Sequence, residues 1–162
     1  MASIRLLKRK DLEKTNHLLV SAFTEGRKED GYADTQINLC HIKMLEMYLS
    51  FCPNGCFTLV EKGEILAAAF SHVLGSTGWI GPIAVAPAFR GKKLGEQITR
   101  HCIDFLKSKK CSTIGLETMP RSYWNLGFYI NLGFRPQQLT CELTRFIQTE
   151  NNNPNYGGMQ NY

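Results

Sequence analysis

The chain has 162 residues, of which 43% are hydrophobic and 20% are charged, and its formal net charge is +5. This length suits one domain with a sizeable core. The charge excess suits an anionic small-molecule ligand and is too small to indicate a nucleic-acid-binding protein.

The first third of the chain predicts one strand and two helices. Residues 3–10 alternate weakly between apolar and polar side chains, and Asp11 is placed to cap a helix that begins at Leu12. The polar, glycine-containing residues 24–35 predict a loop. Residues 36–51 have the spacing of an amphipathic helix, and the sequence PNG that follows them is expected to end this helix.

The middle of the chain predicts three consecutive strands joined by tight turns near 62–63 and at 75–78. The strands are CFTLVEKG, EILAAAFSHVL and WIGPIAVAP. Pro82, in the third strand, cannot donate a ladder hydrogen bond. We therefore expect a bulge or a sheet edge at that position.

The last third of the chain begins with a helix near Leu94, whose apolar residues recur at helical spacing and which ends in the basic KSKK. Residues 112–119 predict a strand and residues 121–134 a short helix rich in aromatic side chains. Residues 135–147 predict a final strand or hairpin.

We expect residues 1–147 to form a single domain. Residues 148–162 are polar and rich in Asn and Gly, and they predict a disordered tail or a linker to a further domain. The predicted fold class is α/β (α+β), with a mixed, mostly antiparallel sheet of about six or seven strands flanked by about four helices. The strand–helix–strand step between residues 79 and 119 predicts one parallel pair in that sheet.

The N-terminal residues lack the apolar segment of a signal peptide, and no run of about 18 apolar residues predicts a membrane span. A cytoplasmic protein without a membrane partner is expected. The six cysteines include no CxxC pair, and a zinc site at CPNGC (52–56) would need Cys40 and His41 as further ligands. Reduced thiols and no metal are the expectation.

The stretch FRGKKLGEQI, residues 89–98, joins a strand to the N-terminus of a helix. Free backbone N–H groups and the helix dipole favour an anion there, and Gly91 and Gly95 remove side chains that would hinder its approach. Three basic side chains add positive charge: Arg90, Lys92 and Lys93. The stretch matches neither a Walker A loop nor GxGxxG. By itself it predicts either an anion cradle or a solvated basic loop.

The stretch NLGFYINLGF, residues 125–134, places Asn125 and Tyr129 on one face of a short helix, because they are four residues apart. Phe128 and Phe134 predict core positions. Asn125 and Tyr129 carry polar groups that need partners if they are buried, so a purely structural role explains them less well.

Together, IAVAPAFRGKKLGEQI and NLGFYINLGF resemble two motifs of the GCN5-related N-acetyltransferases, the GNAT superfamily, and the order of elements over residues 1–147 is similar as well. Arg90 and Gly95 match the first and last positions of that family's pyrophosphate loop. Lys93 stands where a glycine is usual. If the backbone there needs a positive φ, lysine costs about 1 kcal/mol relative to glycine.

The resemblance implies that the strands at 79–87 and 112–119 splay apart to form a cleft for acetyl-CoA, the acyl donor. The backbone of the first strand would pair with the pantetheine amides, and the loop amides would hold the pyrophosphate. Asn125 would reach the pantetheine arm. The implied cofactor-binding residues are Ile83, Ala84, Val85, Arg90, Gly91, Lys92, Lys93, Leu94, Gly95, Asn125 and Phe128.

The reaction that the resemblance implies is direct attack of a neutral amine on the thioester. A backbone N–H near Val85 would stabilise the charge on the carbonyl oxygen, and Tyr129 would protonate the leaving thiolate. Glu117, in GLETMP, is the candidate general base, and His72 is a weaker candidate.

Acceptor specificity is expected from residues 24–35, which contain the acidic Glu25, Glu29, Asp30 and Asp34 together with Tyr32, and from the helix that follows and residues 135–147. The acceptor stays open among a small amine, a peptide N-terminus and a lysine.

The leading function is therefore an N-acetyltransferase that moves an acetyl group from acetyl-CoA to a primary amine. The alternative is a non-catalytic acyl-CoA-binding or sensing module of the same fold, which would keep Arg90, Gly91 and Gly95 without needing an acid. Tyr129 in its expected place favours the enzyme. A homodimer is compatible with the family resemblance.

Overall fold

A computed structural model describes residues 2–137 of the chain, and within this range helices cover both faces of a five-stranded sheet. The strands are β1 (Ser3–Leu6), β2 (Cys56–Glu61), β3 (Glu64–Leu74), β4 (Thr77–Val85) and β5 (Thr113–Gly115), and the helices are α1 (Leu12–Glu29), α2 (Ile42–Phe51), α3 (Leu94–Ser108) and α4 (Tyr123–Asn131). The predicted strand or hairpin at 135–147 lies almost entirely outside the described residues, and the tail at 148–162 lies wholly outside them.

The sheet has the predicted mixed topology. Its strands follow the order β1-β2-β3-β4-β5; the first four pair antiparallel with their neighbours, and β4 pairs with β5 in parallel. The parallel pairing is short, because it joins only Thr77–Trp79 of β4 to Thr113–Gly115 of β5. The strand predicted at 112–119 is thus shorter than expected, and beyond Gly115 the two strands separate. This separation is the splay that the family resemblance implied.

Both predicted hairpin turns are present. Lys62 and Gly63, with φ values of 49° and 85°, join β2 to β3 as a two-residue turn of the kind that matches strand twist. The second turn contains Gly75, with φ 63°. The irregularity predicted at Pro82 is also present, because the register between β3 and β4 shifts between Ala69 and Ser71, opposite Gly81 and Pro82.

The boundaries of α1 and α2 also differ from the prediction. α1 continues to Glu29, through part of the stretch predicted as a loop, and its last turn carries Arg27 and Lys28, which the helix dipole favours. α2 begins at Ile42 instead of residue 36, because His41 adopts an extended conformation and its Nδ1 accepts the N–H of Lys43 at 3.3 Å.

Helix α1 begins at Leu12 as predicted, but the prediction that the Asp11 side chain caps it is wrong. The Asp11 side chain makes no capping bond to α1. It accepts two hydrogen bonds from the Arg5 guanidinium, at 2.7 and 3.1 Å, and one from the backbone N–H of Lys8, at 2.9 Å. The carboxylate therefore connects β1 with the start of α1.

The core consists of two apolar layers, one on each face of the sheet. Ile98 and Leu106 of α3 pack on one face, and Leu12 and Leu45, from α1 and α2, pack on the other. Residues of β4 alternate between the layers, so that Ile83 and Val85 face α3 while Ala84 faces α1. Among residues 2–137, none of the helices combines the length and apolar character needed to cross a bilayer.

Candidate active site

The C-terminal half of β4 has one edge without a partner strand in the described part of the chain. On its other edge Ala67, Ala68 and Ala69 of β3 pair with Val85, Ala84 and Ile83 respectively. Because β5 has already separated from β4, the backbone groups of residues 83–85 on the open side can pair with an extended ligand, as an added strand would.

The open edge of β4 leads directly into a loop with a left-handed backbone. A short 3-10 turn (Pro87–Phe89) follows the strand, and Gly91 and Lys93 then adopt φ values of 75° and 60°. Within the described part of the chain, no side chain caps the N-terminus of α3. Gly91, Lys92 and Lys93 are exposed. Uncapped N–H groups in such a loop favour an anion.

Arg90 and Lys92, two of the basic residues of this loop, contact different groups. Arg90 donates from Nη1 to Glu29 Oε2 at 2.7 Å and from Nη2 to the carbonyl oxygen of Ala22 at 2.8 Å. Its guanidinium therefore holds the loop against α1. The Lys92 ammonium lies 4.7 Å from the centre of the Phe89 ring. The positive charge expected from Arg90 is thus already paired with Glu29.

Gly95, in the first sequence motif, lies next to Phe128, in the second motif. A Cβ atom placed on Gly95 would lie 3.5 Å from Val85 Cγ2 and 3.6 Å from Phe128 Cζ. α4 therefore packs over the first turn of α3 beside the open part of β4. The structure brings together Val85, Gly95 and Phe128, which the family resemblance assigns to one cofactor site.

Tyr129 is half-buried on α4, and its ring meets those of Phe128 and Phe134 edge-on, with ring centres 5.0 and 5.9 Å away. Burial raises the pKa of the Tyr129 phenol to about 12. The hydroxyl therefore keeps its proton at neutral pH and can act as a donor. Asn125 lies one turn earlier on α4 and is exposed.

A cavity of about 410 Å³ lies where α1 and α2 face the separating part of β4. Its walls are largely apolar, and Glu117, just beyond β5, is the one charged residue among those described around it. The lining residues are Asn16, Leu19, Val20, Phe23, Ile37, Asn38, Cys40, Met44, Leu45, Tyr48, Trp79, Ile80, Gly81, Pro82 and Glu117.

Asn16 holds the outer wall of this cavity in place. Its Nδ2 donates to the Cys40 carbonyl oxygen at 2.8 Å, and its Oδ1 accepts from the Cys40 N–H at 3.3 Å and from the thiol at 3.1 Å. Sequence reasoning missed this residue. A signal was available, because Asn16 follows Leu12 by four positions and so lies on the apolar face of α1.

The other candidate residues lie away from the cavity lining. His72 is 6% exposed, its ring packs between Tyr48 and Phe51, and burial lowers its pKa. Tyr32, from the stretch predicted to bind the acceptor, is flanked by the Arg27 and Arg121 guanidinium groups. The acidic residues of that stretch, Glu25, Glu29, Asp30 and Asp34, do not line the cavity.

Residues 2–137 gather no group of three or more His, Cys, Asp or Glu side chains that could hold a metal ion. Cys40, considered as a zinc ligand with CPNGC, instead donates its thiol to Asn16.

Comparison with known proteins relates most of the chain to acetyltransferases. A family model described as the Acetyltransferase (GNAT) family matches residues 12–134. The chain is 31% identical over 91 residues to N-alpha-acetyltransferase 30 of Dictyostelium discoideum, a match that covers 54% of this chain and only about half, 49%, of that relative. It is 27% identical over 134 residues to the ribosomal protein bS18-alanine N-acetyltransferase of Escherichia coli strain K12, covering 83% of this chain and 81% of that one.

Among solved structures, the PaiA N-acetyltransferase of Thermoplasma acidophilum in complex with coenzyme A superimposes with a TM-score of 0.77. Sequence identity is 13%, and the match covers 86% of this chain and 93% of that one. At this identity the similarity establishes a common fold.

Proposed function

This chain belongs to the GNAT family of acetyltransferases, and on that premise we propose that it transfers the acetyl group of acetyl-CoA to a primary amine. The observation that carries the proposal is the open edge of β4 at residues 83–85, which leads into the uncapped N-terminus of α3. The open edge can pair with a pantetheine arm, and the helix N-terminus that follows it along the chain can bind a pyrophosphate.

The residues present fit a coenzyme A ligand. Pantetheine amides would pair with the backbone of Ile83, Ala84 and Val85, and the loop N–H groups from Gly91 to Gly95 would bind the pyrophosphate. The absence of a side chain at Gly95 leaves space beside Val85 and Phe128. Asn125 would reach the pantetheine arm from α4. Arg90 would act by positioning the loop against α1.

In the proposed reaction the amine nitrogen forms a bond to the thioester carbon, and the carbon–sulfur bond then breaks. The backbone N–H near Val85 stabilises the charge on the carbonyl oxygen. Tyr129 gives its proton to the leaving thiolate, as a phenol can because it is protonated at neutral pH. Glu117 takes the proton of the incoming ammonium, directly or through one water molecule.

The Tyr129→Phe variant tests the proposed acid. Because the phenol would act only on the leaving group, we expect turnover to fall by about 10²- to 10⁴-fold while acetyl-CoA affinity changes little. Release of the CoA thiol measures turnover, and calorimetry measures binding. Tyr123→Phe is the matched control, since Tyr123 lies on the same helix and is 63% exposed. Wild-type turnover in the Tyr129→Phe variant would contradict the role.

The non-catalytic binding module makes a different prediction for the same assay. It would bind acetyl-CoA through the loop and β4, yet release no CoA with any amine. Tyr129 favours the enzyme, because it supplies an acid that a binding module does not need.

A further inference from the structure

We infer that the acceptor is a primary amine carried next to an apolar group, with the amine beside Glu117 and the apolar group inside the cavity between α1, α2 and β4. This inference rests on the proposed acetyl transfer and specifies the acceptor class for that site.

The first support is the apolar character of the two facing helices. Phe23 on α1 and Met44 on α2 line the cavity although they are 39% and 45% exposed. Leu19 and Leu45, which are buried, form its floor. Partly exposed apolar side chains gathered around a concavity favour an apolar ligand group, because covering them removes apolar surface from water.

The second support is the hydrogen bonding of Asn16, a polar residue that lines the cavity. Both the Nδ2 and Oδ1 atoms of Asn16 are bonded to Cys40. The Oδ1 atom and one N–H of the Asn16 amide are therefore already engaged, which leaves an acceptor side chain at most the second N–H. A charged or strongly polar group placed beside Asn16 would lose its water and gain at most one hydrogen bond from this side chain.

The third support is the position of the charge. Glu117 is exposed and lines the same cavity, where β4 and β5 have separated. Among the described lining residues it is the single charged one. A carboxylate at the rim attracts one ammonium group and repels an acceptor that carries a carboxylate beside its amine.

The cavity volume sets the size of the apolar group. About 410 Å³ lies within the range of sites that enclose small organic ligands. A group the size of a leucine or phenylalanine side chain fits this volume. A free arylalkylamine and a peptide N-terminus share this chemistry, and the test separates them.

The test compares amino-acid amides that differ only in the side chain. L-Leucinamide and L-phenylalaninamide should be acetylated with kcat/KM values at least about tenfold above those of L-lysinamide and L-aspartic acid α-amide, with the difference mainly in KM. Phenethylamine and a pentapeptide that begins with leucine form two further arms. Activity with both indicates that the apolar amine alone is recognised, and a preference for the peptide identifies a polypeptide source.

Two methionines of α2 provide a matched pair of variants. Met44→Lys places a charge in the cavity and should lower kcat/KM for L-leucinamide by about tenfold or more, with acetyl-CoA affinity unchanged. Met47→Lys adds the same charge to the same helix at a residue that is 59% exposed and does not line the cavity, and it should behave as the wild type. Equal effects of the two substitutions would overturn the inference.

The outcomes also separate this inference from the proposed function. If the lysine or aspartic acid amide releases as much CoA as the apolar amides, or more, the inferred acceptor class is wrong. Acetyl transfer itself would still stand. Acetyl-CoA binding without CoA release for any of these amines refutes acetyl transfer to this class.

Discussion

Lys93 shows how a single residue can depart from a family motif at small cost. It has φ 60° and ψ 12° at the N-cap of α3, the left-handed conformation that the usual glycine adopts without strain. A non-glycine residue there costs about 1 kcal/mol, which a stable domain tolerates. The exposed lysine keeps its backbone N–H at the start of α3, so the loop geometry does not depend on glycine.

The Lys93→Gly variant should therefore retain acetyl-CoA affinity within about threefold and gain up to about 1 kcal/mol in the free energy of unfolding. Calorimetry and urea unfolding measure the two quantities. Lys62→Gly is the matched control, because Lys62 also has a positive φ, 49°, but lies in the β2–β3 turn. A large loss of affinity at position 93 alone would show that the lysine side chain, and not its amide, binds the phosphate.

The Gly95→Ala variant should separate stability from binding. In the free protein the added Cβ makes ordinary contacts with Val85 and Phe128, and alanine favours a helix by about 1 kcal/mol over glycine. We therefore expect equal or greater stability in urea but at least about tenfold weaker acetyl-CoA binding, because the methyl group occupies the ligand's approach. Gly127→Ala on α4, where an added Cβ would have no atom of residues 2–137 within 4 Å beyond its own surroundings in the helix, should leave binding intact.

At the scale of elements, Asp11 connects β1 to the start of α1. The Arg5 guanidinium, which donates two hydrogen bonds to this carboxylate, is the main cause that lowers the Asp11 pKa; the Lys8 backbone N–H adds to it. A lowered pKa stabilises the folded protein at pH values above the ordinary carboxyl pKa. This stabilisation is lost as the pH falls through the lowered value.

The Asp11→Asn variant should lower the free energy of unfolding at pH 7 by about 1–2 kcal/mol, since a charge-assisted bond is replaced and Arg5 is partly exposed. The difference between variant and wild type should begin to shrink below the ordinary carboxyl pKa of about 4, and it should disappear as the pH falls through the lowered pKa of Asp11. Urea titrations at pH 7 and pH 3 measure both values. A difference that is the same at both pH values would contradict the ionic origin of the stabilisation.

The elements that sequence reasoning predicted well are those whose signals are local. The turn at 62–63 depends on two residues with positive φ, and the interruption at Pro82 depends on one missing N–H. The extension of α1 to Glu29 was missed, because residues 24–29 are polar and contain a glycine. The hydrogen bond between Glu29 and Arg90, which are 61 positions apart in the sequence, was also missed. Such a contact leaves no periodic pattern.

At the scale of the whole molecule, the boundary predicted at residue 147 can be tested by truncation. Deleting residues 148–162 should leave the melting temperature and acetyl-CoA affinity unchanged, because this polar, Asn- and Gly-rich stretch offers little apolar surface to bury. Thermal unfolding and calorimetry on both chains measure the effect. A lower melting temperature for the shortened chain would place part of residues 148–162 in the domain.

The sequence indicated the family through the resemblance of two short motifs, one around Arg90 and Gly95 and one around Tyr129, and it predicted the mixed sheet from the order of its elements. These signals are local, because each lies along one loop, one helix or one strand. The partner of Arg90 and the walls of the cavity became known only from the tertiary structure. Asn16 and Glu117 approach the same cavity from α1 and from the end of β5, elements far apart in the sequence. The inferred acceptor class therefore follows from packing between elements, which local spacing does not record.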